Sequence, residues 1–121
     1  MYDMHLVPDT FTFKNDDNLV DHELYGHFFN RTIFYIDHDD HSEIFRKIRY
    51  LSKEFPYLDR ISWFWNTCKF SSNEIKNVIS ELRRLRKKIK YRKKIKYKLS
   101  KLFKAFNIAL LSNKTVVFAA D

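Results

Sequence analysis

Two amphipathic stripes that run out of phase with each other constrain this chain more than any other feature. The first is Ile75, Ile79, Leu82, Leu85 and Ile89; the second is Ile95, Leu99, Leu102, Phe106 and Leu110. Each repeats at helical intervals. The step between them, Ile89 to Ile95, is six residues, which swings the apolar face by roughly 120° from one continuous stripe. The cause is a tandem repeat, Lys-Lys-Ile-Lys-Tyr at 87–91 and again at 93–97, joined by Arg92. Deleting one six-residue copy would restore the phase. An unbroken helix over 73–111 would also be about 58 Å long, whereas a domain of this size has a radius of gyration of about 14 Å. The pattern therefore predicts a hairpin of two helices with its bend inside the repeat and an exposed basic tip. No Gly, Pro or Asn lies in 87–98 to ease the turn.

The same segment dominates the charge. Between Arg83 and Lys104 there are thirteen Lys or Arg residues and no Asp or Glu. Such a run needs an acidic partner or must stand clear in water. Residues 1–43 carry ten acids against Lys14 and Arg31, or −8; residues 44–121 carry twenty-one bases against five acids, or +16, and these sum to the net +8. The halves can neutralise each other in part, but not across the whole basic run. The 121 residues suffice for a single domain, 1–121, with the hairpin 73–111 as part of it. Twelve Phe and seven Tyr against a single Gly favour a firm core over long wrapping loops.

Further elements follow from local pattern. His5–Val7 and Thr10–Phe13 read as short extended pieces, and Asn18–Phe29 suits a short helix or a strand. Thr32–Ile36 is a β-branched and aromatic run of buried-strand type. Asp40 with Glu43 has capping-box spacing for a helix on Ile44, Phe45, Ile48, Leu51 and Phe55, stopped by Pro56. Ile61–Trp65 reads as a second buried strand. Ser71 and Glu74 offer another capping box, and Thr115–Phe118 a last strand beyond Asn113. Strand, helix, strand, helices, strand predicts an α/β domain with a small, largely parallel sheet of three or more strands, crossover helices and the C-terminal basic helical hairpin.

Candidate chemistry is sparse. Asp37 and Asp39 form an Asp-x-Asp pair of the kind that holds Mg²⁺ for phosphoryl transfer, inside the cluster His38-Asp39-Asp40-His41. A metal-dependent phosphodiesterase would need a further carboxylate or His, for which Asp121 or His22 are available but not selected by spacing. The plainer reading is a polar turn whose Asp40 caps the helix. His22-Glu23-Leu24-Tyr25-Gly26-His27 has one residue too many for a zinc-protease helix, since a five-residue step rotates the second His by roughly 140°. Cys68, the single cysteine, has no fixed His beside it and reads as an incidental half-buried thiol; it forms no internal disulfide and fits a reducing cytosol. No cofactor or metal is implied. Met1–Pro8 lacks the regions of a secretory signal, and no apolar stretch reaches the roughly 20 residues of a membrane span.

Interaction chemistry is better represented. Lys87, Lys88, Lys90, Arg92, Lys93 and Lys94, interleaved with Tyr91 and Tyr97, can neutralise phosphates and stack on bases. No helix-turn-helix, zinc-finger or RNA-recognition signature accompanies them. The same face could meet an anionic membrane or an acidic protein. Slippage alone could also have produced the repeat. Trp63 and Trp65, flanking Phe64, read as core on both faces of a strand, or as an interface anchor where one face is uncovered. Asp37, Asp39 and Asp40 mark the acidic counterpart.

The pieces at His5–Pro8, the Trp-rich Ile61–Asn66, Phe70-Ser71 with Glu74, Glu81–Leu85 and Val116–Asp121 occur in an order that resembles small bacterial proteins of the kind that serve as immunity proteins of toxin systems. That resemblance implies a cytoplasmic, non-catalytic protein that binds and blocks a cognate toxin. It carries over no individual functional residue. The chain departs from the acidic character common among inhibitors of nuclease toxins. An acidic toxin, or an interface on the −8 half, would remove the conflict.

Overall fold

The computed structural model describes residues 1–7, 32–64 and 66–120. Four strands, β1 (Tyr2–Val7), β2 (Thr32–Ile36), β3 (Cys68–Phe70) and β4 (Thr115–Ala120), form one sheet in the order β2-β1-β4-β3. Every pairing is antiparallel. Four helices complete the described chain: α1 (His38–Arg49), α2 (Pro56–Ile61), α3 (Ile75–Lys88) and α4 (Lys93–Ser112). The result is an α+β fold, which corrects the expectation of an α/β domain with a largely parallel sheet. The reason is a count of reversals. One helix between two strands returns the chain parallel, whereas two antiparallel helices add a reversal. Two helices separate β2 from β3, and two separate β3 from β4.

The alternation of β1 explains why it sits at the centre. Tyr2, Met4 and Leu6 share the helix-covered face with Phe34, Ile36, Phe70, Val116 and Phe118, all buried. The opposite face of the two central strands, with Asp3, His5, Val7, Val117 and Ala119, is buried as well. Six side chains lost from water at Phe45, Phe55, Phe70, Phe106, Phe118 and Tyr2 each contribute roughly 2–3 kcal/mol of transfer free energy. The two stripes of the hairpin meet in the same core through Ile75, Val78, Ile79, Leu82 and Leu85 on α3 and Ile95, Leu99, Leu102 and Phe106 on α4.

Local chemistry sets the element ends. Asp37, not Asp40, caps α1: its Oδ1 accepts the Asp40 amide at 2.8 Å. Pro56 opens α2 at its first position rather than ending the preceding helix, which stops at Arg49. Ile61 is therefore helical, and the described part of the expected strand, 61–64, is a helix end and a turn; the strand lies later, at Cys68–Phe70. Glu74 reaches back to the Ser71 amide at 3.0 Å, half of the expected capping box. Asn113 closes α4 in the left-handed conformation at φ 52°, the only positive φ among the described residues. Asn tolerates that well better than other non-glycine residues.

The hairpin turn needs no such residue. α3 ends at Lys88, α4 starts at Lys93, and the flanking Ile89 (φ −115°, ψ 129°) and Arg92 (φ −66°, ψ 162°) are extended. β-Branched Ile favours that region. The phase break written by the repeat coincides with the end of the first helix. Thr10–Phe13, Asn18–Phe29, the His22–His27 segment, Trp65 and Asp121 lie outside the described residues.

Candidate functional site

The basic repeat is fastened to the body of the protein rather than projecting freely. Tyr91 is buried at the turn, and its hydroxyl donates to the Ile44 carbonyl of α1 at 2.8 Å. Burial pushes its phenol up to about 12, with the nearby Glu43 charge adding to the effect. Arg92 makes a two-pronged pair with Glu43, Nε and Nη2 donating at 2.8 and 2.9 Å. The guanidinium holds the Glu43 carboxyl below the ordinary range, and the carboxylate raises Arg92 in turn. Lys94 lies 3.5 Å from buried Asp40, and Lys88 pairs with Glu54. Arg84 donates to the Glu54 carbonyl. The expected exposed tip is thus corrected in part: Tyr91 belongs to the core, because its ring fills the inside of the turn that the repeat creates.

These contacts divide the basic run. Lys88, Arg92 and Lys94 have acidic partners, all on α1 or the turn that follows it. Arg83, Arg84, Arg86, Lys87, Lys90, Lys93, Lys96, Lys98, Lys101 and Lys104 form no ion pair with any described residue. Arg83 and Arg86 instead lie over the Phe103 ring at 5.6 and 5.9 Å. Lys98 sits over Tyr35 at 5.3 Å and Lys101 over Tyr97 at 4.8 Å. Spacing put the cations on one hairpin, but only the fold sorts paired from unpaired ones.

Large apolar side chains are exposed beside those lysines. On α4, Tyr97, Lys101, Lys104, Ile108 and Leu111 recur at steps of four and three, which sets them on one outward stripe. Leu111 is 85% exposed, Tyr97 60% and Ile108 49%. Tyr35 of β2 joins them at 55%. Between β2 and α4 runs a groove of about 340 Å³, lined by Ile33, Phe34 and Tyr35 from the strand and by Lys98, Lys101, Lys104, Ala105 and Ile108 from the helix. Sequence reading of the basic run missed Tyr35, Ile108 and Leu111. The exposed stripe on α4 is periodic, but it shares its helix with a stronger core stripe that masks it.

Trp63 stands apart. It is 52% exposed and carries the Arg49 guanidinium 4.4 Å above its ring, while Arg49 also donates to the Ser62 carbonyl at 2.6 Å. It is not core on a strand; Phe64 alone of the described pair turns inward.

The acidic cluster at 37–41 is dispersed by α1. Asp37 is engaged as the helix cap, Asp39 is fully exposed 3.8 Å from His38, and Asp40 faces Lys94. His41 points the other way, into Tyr2, Phe45 and Phe64 with ring centroids at 5.3, 4.7 and 5.1 Å. Its Nε2 lies 2.6 Å from the Ile61 carbonyl, so that nitrogen carries the proton. Burial lowers its pKa to about 4 against the pull of that carbonyl, helped by the nearby Arg49 and His38 charges. Among the described residues no group of three or more His, Cys, Asp or Glu is placed to hold a metal ion. Cys68 is buried, not half-buried, and burial pushes its thiol up to about 12.

No protein-family model matches the chain, and no curated protein or solved structure matches it either. Among the described residues no helix is long and apolar enough to cross a membrane.

Proposed function

We propose that this chain works by binding another protein, as an immunity-type inhibitor of a cognate bacterial toxin, and that the partner meets it with an acidic surface. The observation that carries this reading is the division of the basic run. Ten of the thirteen cations between Arg83 and Lys104 form no ion pair with any described residue, while Tyr91, Arg92 and Lys94 pin the same hairpin to α1 and Lys88 pins it to Glu54 in the turn that follows. A preorganised cationic face loses little entropy on docking and speeds association with an acidic partner. Exposed Tyr97, Tyr35, Ile108 and Leu111 next to the cations supply the apolar contact that charge alone lacks. The reading puts the chain in the cytosol, where the buried Cys68 remains a thiol.

The test is co-expression with the toxin-like protein encoded beside its gene. Growth protection is expected, with protection weakened by Glu substitutions at Lys98, Lys101 and Lys104. A neighbouring toxin that binds neither form of the purified chain overturns the reading.

A nucleic-acid reading is favoured by one observation, the exposed Tyr97 ring beside Lys101 and Lys96. It predicts a micromolar complex with random duplex or single strands that weakens about 10³-fold or more between 50 and 200 mM salt. Gln at Lys87, Lys90, Lys93 and Lys96 would abolish it without breaking the pairs made by Lys88, Arg92 and Lys94.

A further inference from the structure

We propose that the groove between β2 and α4 is the seat of the partner, and that it takes an acidic protein segment whose carboxylates alternate with apolar side chains. This rests on the protein-binding reading above and names the surface that would serve it. Lys98, Lys101 and Lys104 follow one another at three-residue steps, so their stems leave the helix about 4.5 Å apart along its axis. All three line the groove, and none of its described lining residues is acidic. Ile33 and Tyr35 of β2 line the strand side, and half-exposed Ile108 adds aliphatic surface on the helix side.

The mixture selects the class of partner. Aliphatic Ile33 and Ile108 gain by burial against another protein's side chains and offer a sugar-phosphate strand nothing. Three cations with no acid among the described lining residues reject a basic segment by repulsion, which gives specificity as well as attraction. The volume, about 340 Å³, lies at the small end of ligand clefts, which suits the side chains of a short docked segment. Leu111, one turn beyond Ile108 and 85% exposed, extends the apolar end of the same stripe.

The probe is a twelve-residue synthetic peptide of alternating Glu and Leu, with an alternating Lys and Leu peptide as its control, titrated into isotopically labelled full chain and followed by amide chemical shifts. Expected are shifts centred on Ile33, Tyr35, Lys98, Lys101, Lys104 and Ile108, and at least tenfold weaker binding in the triple variant K98E/K101E/K104E. Ile108→Asp should weaken binding comparably. These positions are exposed or groove-lining, so thermal unfolding of the variants checks that they fold. The tip variant K87Q/K90Q/K93Q should bind within about threefold of the parent. Equal losses in the tip and groove variants, or no groove-centred shifts, overturn the groove and leave the proposed function standing. Displacement of the Glu-Leu peptide from the groove by a single-stranded oligonucleotide of tighter affinity overturns both.

Discussion

Lowering the pH should destabilise this protein through one buried side chain, and the size of the effect follows from the structure. His41 lies 1% exposed among Tyr2, Phe45 and Phe64, with Nε2–H on the Ile61 carbonyl. Burial holds its pKa at about 4, well below the ordinary imidazole value of 6.5. In the unfolded chain the imidazole takes up a proton as pH falls through about 6.5, while the folded protein resists protonation down to about 4. The unfolded state therefore binds more protons throughout that window, and stability falls as pH falls. The difference between the two pKa values corresponds to about 3 kcal/mol, most of which is lost by pH 4.5. Urea unfolding of the parent and of His41→Gln at pH 7.5, 6, 5 and 4.5 isolates the contribution, because other titrating groups cancel in the difference. The variant starts less stable, since Gln fills the aromatic pocket poorly, but its stability should fall less steeply by about 2–3 kcal/mol over that range. Parallel pH profiles for parent and variant would refute the reasoning, because they would show that His41 titrates alike in both states.

Three further outcomes are expected from equilibrium unfolding. Glu81→Ala should cost about 2–4 kcal/mol: its carboxylate caps α2 from another helix, accepting the Tyr57 amide at 3.1 Å and the Leu58 amide at 2.9 Å, and its loss leaves buried donors unsatisfied. A loss below about 0.5 kcal/mol would show that water replaces the cap. Tyr91→Phe should cost about 1 kcal/mol by removing the hydroxyl bond to Ile44, while Tyr91→Ala should cost several times more; similar costs for both would place the ring outside the core. Asn113→Gly should leave stability equal or raised by some tenths of a kcal/mol, and Asn113→Ala should lower it by about 1 kcal/mol, because alanine has no local bond to offset the left-handed backbone.

The Glu81 cap shows why part of this fold could not be read in advance. Phe55 precedes α2 and has no side-chain acceptor for the amides of Tyr57 and Leu58, so the local sequence offers no start signal beyond Pro56. The acceptor arrives from Glu81, more than twenty residues later, where burial raises its carboxyl while the two amides pull it back. A run of apolar residues at Ile61–Trp65 consequently reads as a strand, although Ile61 closes a helix. In the acidic turn at 37–41 the cap lies three residues earlier than the capping-box spacing suggests: Asp37 takes it, because only it precedes the first helical turn, and Asp40 is left to face Lys94. The candidate interface was half visible. Lysines and Tyr97 stand out by composition, but the wall opposite them, Ile33 and Tyr35, comes from a strand more than sixty residues earlier.

By itself the sequence determined the break between α3 and α4, because a six-residue insertion rotates an apolar stripe whatever the surroundings. It also determined the concentration of positive charge on that hairpin and the strand at Thr32–Ile36, whose pattern is local. The tertiary structure decided the rest. Strand direction depends on how many helices reverse the chain between strands, and the short α2 was hidden behind an apolar run. The pairing of Arg92 with Glu43 and Lys94 with Asp40 depends on which face of α1 the turn meets. Which lysines remain for a partner is therefore a property of packing, since charge is written in the chain but its neutralisation is set by distance.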